Sequence, residues 1–373
     1  MGLFPSNKLF LFVKLLHSKV LDLDIDKMQH IYKQWGPSTQ TCIQLTQDPT
    51  AEATHEAAVQ LAASCFVKDT DAIGDYYDER IQHILLSMSP HKGNRQIPTV
   101  DIATDQILRI ISYAVADAKA QEQIKFYHDI SKQQMFRASA GKIFKRFVLT
   151  WLSSDLAPLA CIPVDSSRLQ ILTCGEEKTI CGRLATLKSM QVDKFPFCFL
   201  PTKGSDTLSA VDAIVFTQQS IITIQIITSD PNQYSANEGD FAEIENHLPT
   251  ITTTRRTWKM TRKLPTRCHV LITDDEAKAR TLTRRGQTLS GNPKLPRIYS
   301  AVFAFGQFEI TSEQMRRLDE ARVRVLVACE QSAFMERITA TRRRKYGRQL
   351  VRNDSKAWGP KGTRSTDPVT ADL

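Results

Sequence analysis

The sequence lacks the short motifs that are typical of zinc sites and nucleotide-phosphate sites. Its eight cysteines are spread over 373 residues without a CxxC pair, and no histidine stands at zinc-ligand spacing from them. No GxxxxGK(S/T) motif occurs either. The run 140–143 (AGKI) resembles the end of that pattern, but it lacks the earlier glycine and the Ser or Thr. The backbone cradle that this motif builds for phosphates is therefore missing.

Long apolar runs are absent as well, since no segment approaches the ~18 to 20 apolar residues that a membrane span needs. The N-terminal apolar run is broken by Lys8 and Lys14 and is followed by no small-residue cleavage site, so it makes a poor signal peptide. Gly2 and Ser6 match the loose myristoylation pattern. We expect no membrane partner and a nuclear or cytoplasmic location, and secretion into a host cell stays open.

The composition is that of a folded protein whose charge is concentrated at one end. Hydrophobic residues make up 42%, enough for a sizeable core, and the length allows two domains or one large one. The formal net charge is +9, and residues 336–373 hold ten Lys and Arg against four Asp and Glu. We therefore expect a mildly basic folded body, reduced and mostly buried thiols, and a disordered basic tail over 337–373.

The stretch 211–230 predicts the centre of the fold. Two runs rich in β-branched residues, 211–216 and 221–228, are joined by a short polar link, as in a β-hairpin. The second run is apolar at nearly every position, which favours a strand buried on both faces in the middle of a sheet. Asp212 brings one carboxylate and Gln225 one amide into this setting. Since buried polar groups are costly unless they are partnered or used, these two side chains either bond to their neighbours or form a functional site.

Periodicity and turn residues predict helices in the first part of the chain and a mixture of strands and helices afterwards. The predicted helices cover 7–34, 51–69, 75–89, 101–120, 121–131, 141–152, 244–248 and 311–322. The further predicted strands cover 167–172, 197–200, 268–273, 301–305 and 323–328. Trp35-Gly36-Pro37-Ser38 is expected to end the first helix, and Tyr127 and Phe136 are expected in the core.

Landmark stretches accompany the hairpin through much of the chain. They are Trp35–Ser38, Thr41–Cys42, Val100–Asp105, Ala140–Phe144, Phe195–Phe197, Cys268–Asp274 and Ile298–Phe303. Together with the VDA that opens the hairpin and the IQ of its second strand, they resemble the restriction-endonuclease-like PD-(D/E)XK region of fungal Crinkler and retrotransposon-hot-spot type proteins. The resemblance covers roughly residues 30 to 330.

The resemblance implies an α/β fold class, in which an N-terminal helical region is followed by a restriction-endonuclease-like mixed-sheet domain. It implies a division of the chain into four parts. Residues 1–48 are similar to the end of an ATPase module, 49–135 form a helical region, 136–336 form the nuclease-like α/β domain, and 337–373 form the basic tail.

The resemblance also implies which positions matter for metal-dependent cleavage: an acid on the first helix, a strand Asp, a Glu or Gln on the next strand, and a Lys two residues on. By motif these positions fall on Lys145, Asp212, Gln225 and Ile227. Asp212 is then the acid that is left as a candidate metal ligand, Gln225 is neutral, and Lys145 brings a cation where Mg²⁺ needs oxygen ligands. This implies a catalytically degenerate domain without a cofactor, which binds nucleic acid or a protein partner.

The alternative is an active Mg²⁺-dependent DNase of the effector or toxin kind. In that case Asp230, Glu243 or Glu245 has to supply the missing ligand, because Asp212 with Gln225 makes a weak Mg²⁺ site.

Two basic runs are candidate nucleic-acid contacts. The first comprises Arg255, Arg256, Trp258, Lys259, Arg262 and Lys263, and the second comprises Arg342, Arg343, Arg344 and Lys345. Cations mixed with an aromatic ring can hold phosphates and stack a base, and we expect DNA rather than RNA as the partner. The first run is equally typical of a solvated loop or helix face, and the second of a nuclear-import signal.

Overall fold

The chain folds as a group of helices followed by a mixed β-sheet with helices packed on it, which confirms the predicted α/β class. The structure, a computed structural model, describes residues 23–69, 84–90, 98–163, 168–188, 195–202, 211–228, 231, 234, 238–248, 266–289, 295–328 and 331. The chain divides into two compact units, Met1–Arg322 and Val323–Leu373. No helix in the described ranges has the length and apolar character that crossing a membrane requires.

The described part of the N-terminal region is helical apart from one two-stranded hairpin. Its helices are α1 Ile25–Trp35, α2 Thr39–Gln47, α3 Ala51–Lys68, α4 Asp105–Asp117, α5 Ala120–Lys132 and α6 Arg137–Leu152. The hairpin consists of β1 Leu86–Pro90 and β2 Pro98–Ile102, which pair antiparallel.

Local chemistry explains where several of these helices begin and end. The Asp24 carboxylate accepts hydrogen bonds from the N–H groups of Asp26 and Lys27 and so caps α1. Gly36 ends the same helix with a φ of 103°, a conformation that favours glycine. The predicted stop after Trp35 is therefore confirmed.

The second part of the chain is organised around a six-stranded sheet. Its strands are β5 Thr179–Gly182, β6 Phe197–Pro201, β7 Ala213–Phe216, β8 Ser220–Ile226, β9 Thr266–Thr273 and β10 Arg297–Val302, and a separate short pair is formed by β3 Leu159–Ala160 and β4 Gln170–Ile171. The order across the sheet is β10-β9-β8-β7-β6-β5. β7 runs antiparallel to both of its neighbours, and the other pairs are parallel. The predicted central hairpin is thus confirmed as β7 and β8.

Both faces of the sheet are covered by apolar side chains. The helices α7 Leu184–Leu187, α8 Glu238–His247 and α9 Glu276–Leu289 contribute Leu184, Leu187, Phe241, Ile244 and Leu282 to two clusters that pack on residues of β6 to β10. A further aromatic cluster joins Phe144, Phe147 and Trp151 of α6 to Phe303, Phe305 and Phe308 after β10. Burial of this kind contributes about 25 cal/mol per Å² of apolar surface. It therefore holds α6 close to the sheet.

The structure corrects several of the predicted elements. Residues 101–102, predicted in a helix, belong to β2, and residues 303–305, predicted in a strand, follow the end of β10. Residues 86–89 were predicted at the end of a helix, but they belong to β1, whose backbone pairs with β2 from Leu86 opposite Ile102 onward. Residues 323–328 were predicted as a strand, but residues 312–328 are helical throughout; this helix is α10. The N-terminal part of the predicted helix 7–34, most of the predicted helix 75–89 and the predicted tail 337–373 lie outside the described residues.

The cysteines that the structure describes are free thiols. Cys65 is exposed, and the other six, Cys42, Cys161, Cys174, Cys181, Cys198 and Cys268, are buried. Burial raises the pKa of Cys42 to about 11 and that of Cys161 to about 12. These two thiols are consequently unreactive at neutral pH.

Candidate functional site

The central hairpin brings Asp212 next to the strand that carries Gln225. The antiparallel pairing of the two strands ends with Ala213 opposite Ile224; Asp212 comes directly before Ala213, and Gln225 comes directly after Ile224. The Asp212 N–H donates to the Ile224 carbonyl (2.7 Å), which anchors Asp212 directly before β7. The start of β7 is therefore the place at which the sequence predicts a functional site.

Both oxygens of the Asp212 carboxylate are occupied by protein donors. Oδ1 forms an ion pair with Lys145 Nζ, and Oδ2 accepts the N–H of Ile226 (2.7 Å). The Asp212 side chain is 13% exposed and that of Lys145 is 40% exposed, so the pair is half-buried at the rim of the sheet. Lys145 and Asp212, both predicted site residues, are therefore in direct contact.

Helix α6 holds Lys145 at this edge because it approaches the end of β8 closely. Gly141 lies against Thr228, and a methyl group at Gly141 would lie 2.7 Å from Thr228 Oγ1. One turn further along α6, on the same side, comes Lys145. The close contact at Gly141 therefore helps to determine how far the ammonium group reaches over the sheet.

The Lys145–Asp212 pair is one of three similar contacts made by α6. This helix contains four basic residues and no acidic one. Lys142 Nζ lies 3.6 Å from Asp101 Oδ2 at the end of β2, and the Arg146 guanidinium binds both oxygens of Asp319 on α10. Three cations of one helix thus bind three aspartates from three different elements.

Gln225 and Ile227 add little capacity to bind a metal or a charged group near Asp212. Gln225 Oε1 is buried and has no hydrogen-bond partner within the described part of the chain. Ile227 is a core residue that packs with Leu271, Leu282 and Ile298, and its N–H donates to the Ile272 carbonyl (2.8 Å). A charged side chain at position 227 would therefore be buried in apolar surroundings.

These residues do not fit a divalent cation. Mg²⁺ requires several oxygen ligands, with carboxylates as the principal charged ones. Here the single carboxylate already has an ammonium on one oxygen and a backbone N–H on the other. The remaining oxygen donor, Gln225 Oε1, is neutral, so the local donor set does not offset the charge of Mg²⁺.

Of the alternative ligands, Glu245 is engaged away from Asp212. Glu245 of α8 binds Arg267, whose register partner on β8 is Ile221. Ile221 lies four residues before Gln225, about 13 Å along the strand. Glu243 is an exposed residue of the same helix, and Asp230 lies outside the described residues.

The predicted nucleic-acid contacts also lie outside the described residues. This applies to all members of the first run, Arg255, Arg256, Trp258, Lys259, Arg262 and Lys263, and of the second, Arg342, Arg343, Arg344 and Lys345. What the structure does show is where the first run leads: three residues after Lys263 the chain enters β9 at Thr266, whose N–H donates to the Gln219 carbonyl (2.9 Å).

Two partly buried polar clusters beside α6 were not predicted from the sequence. Tyr113 donates to Asp319 Oδ2 (2.7 Å), and burial together with this hydrogen bond raises the pKa of Tyr113 to about 12. Tyr127 donates to Asp274 Oδ2 (2.7 Å), which also binds Lys278 Nζ through Oδ1 (2.8 Å). Both tyrosines lie far from their partners in the sequence, so no local pattern could have indicated these bonds.

Comparisons with known proteins return no relatives. The chain matches no protein-family model, and neither the curated proteins nor the solved structures include a match to it.

Proposed function

We propose that this chain is a catalytically degenerate PD-(D/E)XK-like domain that binds nucleic acid, with DNA as the preferred form. The observation that supports loss of catalysis is the Lys145–Asp212 ion pair at the strand edge. In the resembled family this edge holds the metal that activates water and offsets phosphate charge. An ammonium group on the carboxylate opposes the binding of a second cation there.

The other ion pairs of α6 support a structural role for Lys145. Since Lys142 and Arg146 each bind an aspartate from a neighbouring element, Lys145 belongs to a set that fastens the helix. A lysine used in this way is not free to assist a reacting group. The contact with Asp212 therefore serves packing rather than chemistry.

The support for nucleic-acid binding comes from charge. The chain is basic overall, and its two strongly basic runs can contact phosphates in any sequence context. The competing proposals are a protein partner bound through the same surface and an active Mg²⁺-dependent DNase.

Calorimetric titration with Mn²⁺, paired with plasmid cleavage in Mg²⁺ or Mn²⁺, tests the proposal. The wild-type protein is expected to show neither saturable Mn²⁺ binding nor cleavage. Lys145→Glu puts a second carboxylate beside Asp212. We therefore expect this variant to bind Mn²⁺ with a dissociation constant on the order of 10⁻⁴ to 10⁻³ M, the range of weak oxygen-ligand sites.

The control is Lys145→Glu combined with Asp212→Asn, which is expected to lose the gained binding while keeping its circular dichroism spectrum. Cleavage by the wild-type protein that Asp212→Asn abolishes would establish the active DNase instead. Absence of any DNA or RNA binding at low salt would refute the nucleic-acid part of the proposal.

A further inference from the structure

A pocket of about 330 Å³ opens at the other end of the central hairpin from Asp212. Its apolar lining is formed by Leu172, Phe195, Pro196 and Ile222. Phe216, at the end of β7 next to this pocket, is four residues from Asp212, about 14 Å along the strand. The pocket is therefore separate from the Lys145–Asp212 pair.

The polar residues that line the pocket in the described part of the chain are uncharged. Three glutamines, Gln170, Gln218 and Gln219, line it, and their side chains are exposed to solvent. Among the residues that the structure describes, no charged side chain lines the pocket. The described part of its lining therefore offers neither a cation for a phosphate or carboxylate nor an anion for an ammonium group.

The glutamines of the turn stand on a backbone that is held by its own hydrogen bonds. Thr217 Oγ1 accepts the N–H groups of Gln219 (3.2 Å) and Ser220 (2.9 Å) and lies 2.8 Å from Ser220 Oγ. These hydroxyls are used within the turn, so among the described lining residues the glutamine amides are the polar side-chain groups left for a ligand. Each amide presents a donor and an acceptor side by side.

We infer that this pocket takes a single unstacked nucleobase of a bound nucleic-acid strand. A base is flat and uncharged, it has a π-face that stacks on aromatic and apolar side chains, and its edge carries adjacent donors and acceptors that a glutamine amide matches. Phe195, which packs on the sheet core while also lining the pocket, supplies the aromatic surface. This inference rests on the proposed nucleic-acid binding and adds a site for the base.

Fluorescence anisotropy tests the inference. It compares the affinity for a single-stranded 12-mer with the affinity for the same strand carrying abasic positions. Stacking of one base changes affinity by roughly 5- to 150-fold. We expect the intact strand to bind at least about fivefold more tightly than the abasic one. Phe195→Leu, which keeps an apolar side chain without the ring, should weaken binding of the intact strand by a similar factor and binding of the abasic strand by less than about twofold.

A second pair of variants covers the case in which Phe195→Leu does not fold. Leu172→Glu introduces a carboxylate at the pocket, and Ile180→Glu places the same charge at an exposed apolar residue of β5 outside it; the two side chains are 38% and 40% exposed. Leu172→Glu should remove the preference for the intact strand, and Ile180→Glu should preserve it.

Equal binding of intact and abasic strands by the wild-type protein would overturn the base pocket while leaving the proposed nucleic-acid binding in place. Binding of neither strand at low salt would overturn both.

Discussion

His269 shows at the residue scale what a buried polar side chain costs this fold. It lies inside β9 with no exposed surface, its Nδ1 is 2.8 Å from Thr223 Oγ1, and its ring meets the edge of Phe241 at 4.9 Å between centroids. Nε2 is buried and has no partner within the described ranges. Burial therefore lowers the pKa of His269 to about 3, since an imidazolium here would lack both water and a counter-charge.

This depressed pKa predicts a loss of stability in mild acid. The unfolded chain binds a proton at His269 near its ordinary pKa of about 6.5, whereas the folded chain stays neutral until about pH 3. Above pH 6.5, protonation of His269 hence leaves the free energy of unfolding unchanged. Below pH 6.5, the free energy of unfolding falls by about 1 kcal/mol per pH unit. Urea unfolding at pH 7, 6 and 5 measures this slope.

His269→Asn keeps a side chain that can form a hydrogen bond with Thr223 and does not titrate. The free energy of unfolding of this variant should therefore depend less on pH between 7 and 5. His55, whose pKa is also lowered by burial, is the second contributor, and His55→Gln serves as the control. A slope unchanged by His269→Asn would refute the assignment.

At the scale of elements, α6 is the helix on which the candidate site depends. Aromatic packing fastens its inner side to residues 303–308, and its cations bind aspartates from β2, from the start of β7 and from α10. Of the three ion pairs, Arg146–Asp319 is the most buried, and a buried pair is costly to break when one partner is removed. The position of Lys145 thus follows from the whole set of contacts that hold α6.

Gly141→Ala tests how closely α6 approaches β8. In an ordinary helix interior this change stabilises by about 1 kcal/mol. Here the new methyl group would meet Thr228 Oγ1 at 2.7 Å, so we expect the free energy of unfolding to fall by about 1 to 3 kcal/mol. Urea unfolding of the purified variant provides the measurement.

Thr228→Ala removes the clashing hydroxyl and should restore much of the loss when it is combined with Gly141→Ala. A single Gly141→Ala variant that is more stable than the wild type would show that the helix and the strand have room to spare.

One element assignment shows where local patterns mislead. Residues 323–328 are rich in valine and read as a strand, yet they continue α10. That helix starts with a reciprocal capping box, in which Gln314 N–H donates to Thr311 Oγ1 (3.2 Å) and Thr311 N–H donates to Gln314 Oε1 (2.9 Å). Once a helix is started, each added residue gains a hydrogen bond, which outweighs the weak β preference of valine.

At the scale of the whole molecule, the charge is distributed unevenly along the chain. About six of the nine net positive charges belong to residues 336–373. If nucleic acid is bound mainly through phosphate contacts, affinity depends on counterion release and falls steeply as salt rises. The tail and the 255–263 run then contribute to the affinity in proportion to the number of their cations.

Deleting residues 337–373 should therefore weaken single-stranded DNA binding and flatten its salt dependence. Replacing Arg342, Arg343, Arg344 and Lys345 by alanine should lower the slope of log K against log salt by about 3, since each phosphate contact contributes about 0.7. Anisotropy titrations between 50 and 300 mM NaCl measure the slope. Binding that does not respond to salt, or to either change, would place the contact elsewhere.

Sequence by itself determined the elements whose signals are local. The β7–β8 hairpin follows from two β-branched runs around a polar link, and the end of α1 follows from Trp35-Gly36, because strand pairing across a short turn and helix termination depend on adjacent residues. Tertiary structure decided what the polar residues do. Lys145 and Asp212 are 67 positions apart, and the base pocket joins segments near 170, 195 and 218, so only the packing of α6 and the sheet could bring these groups together.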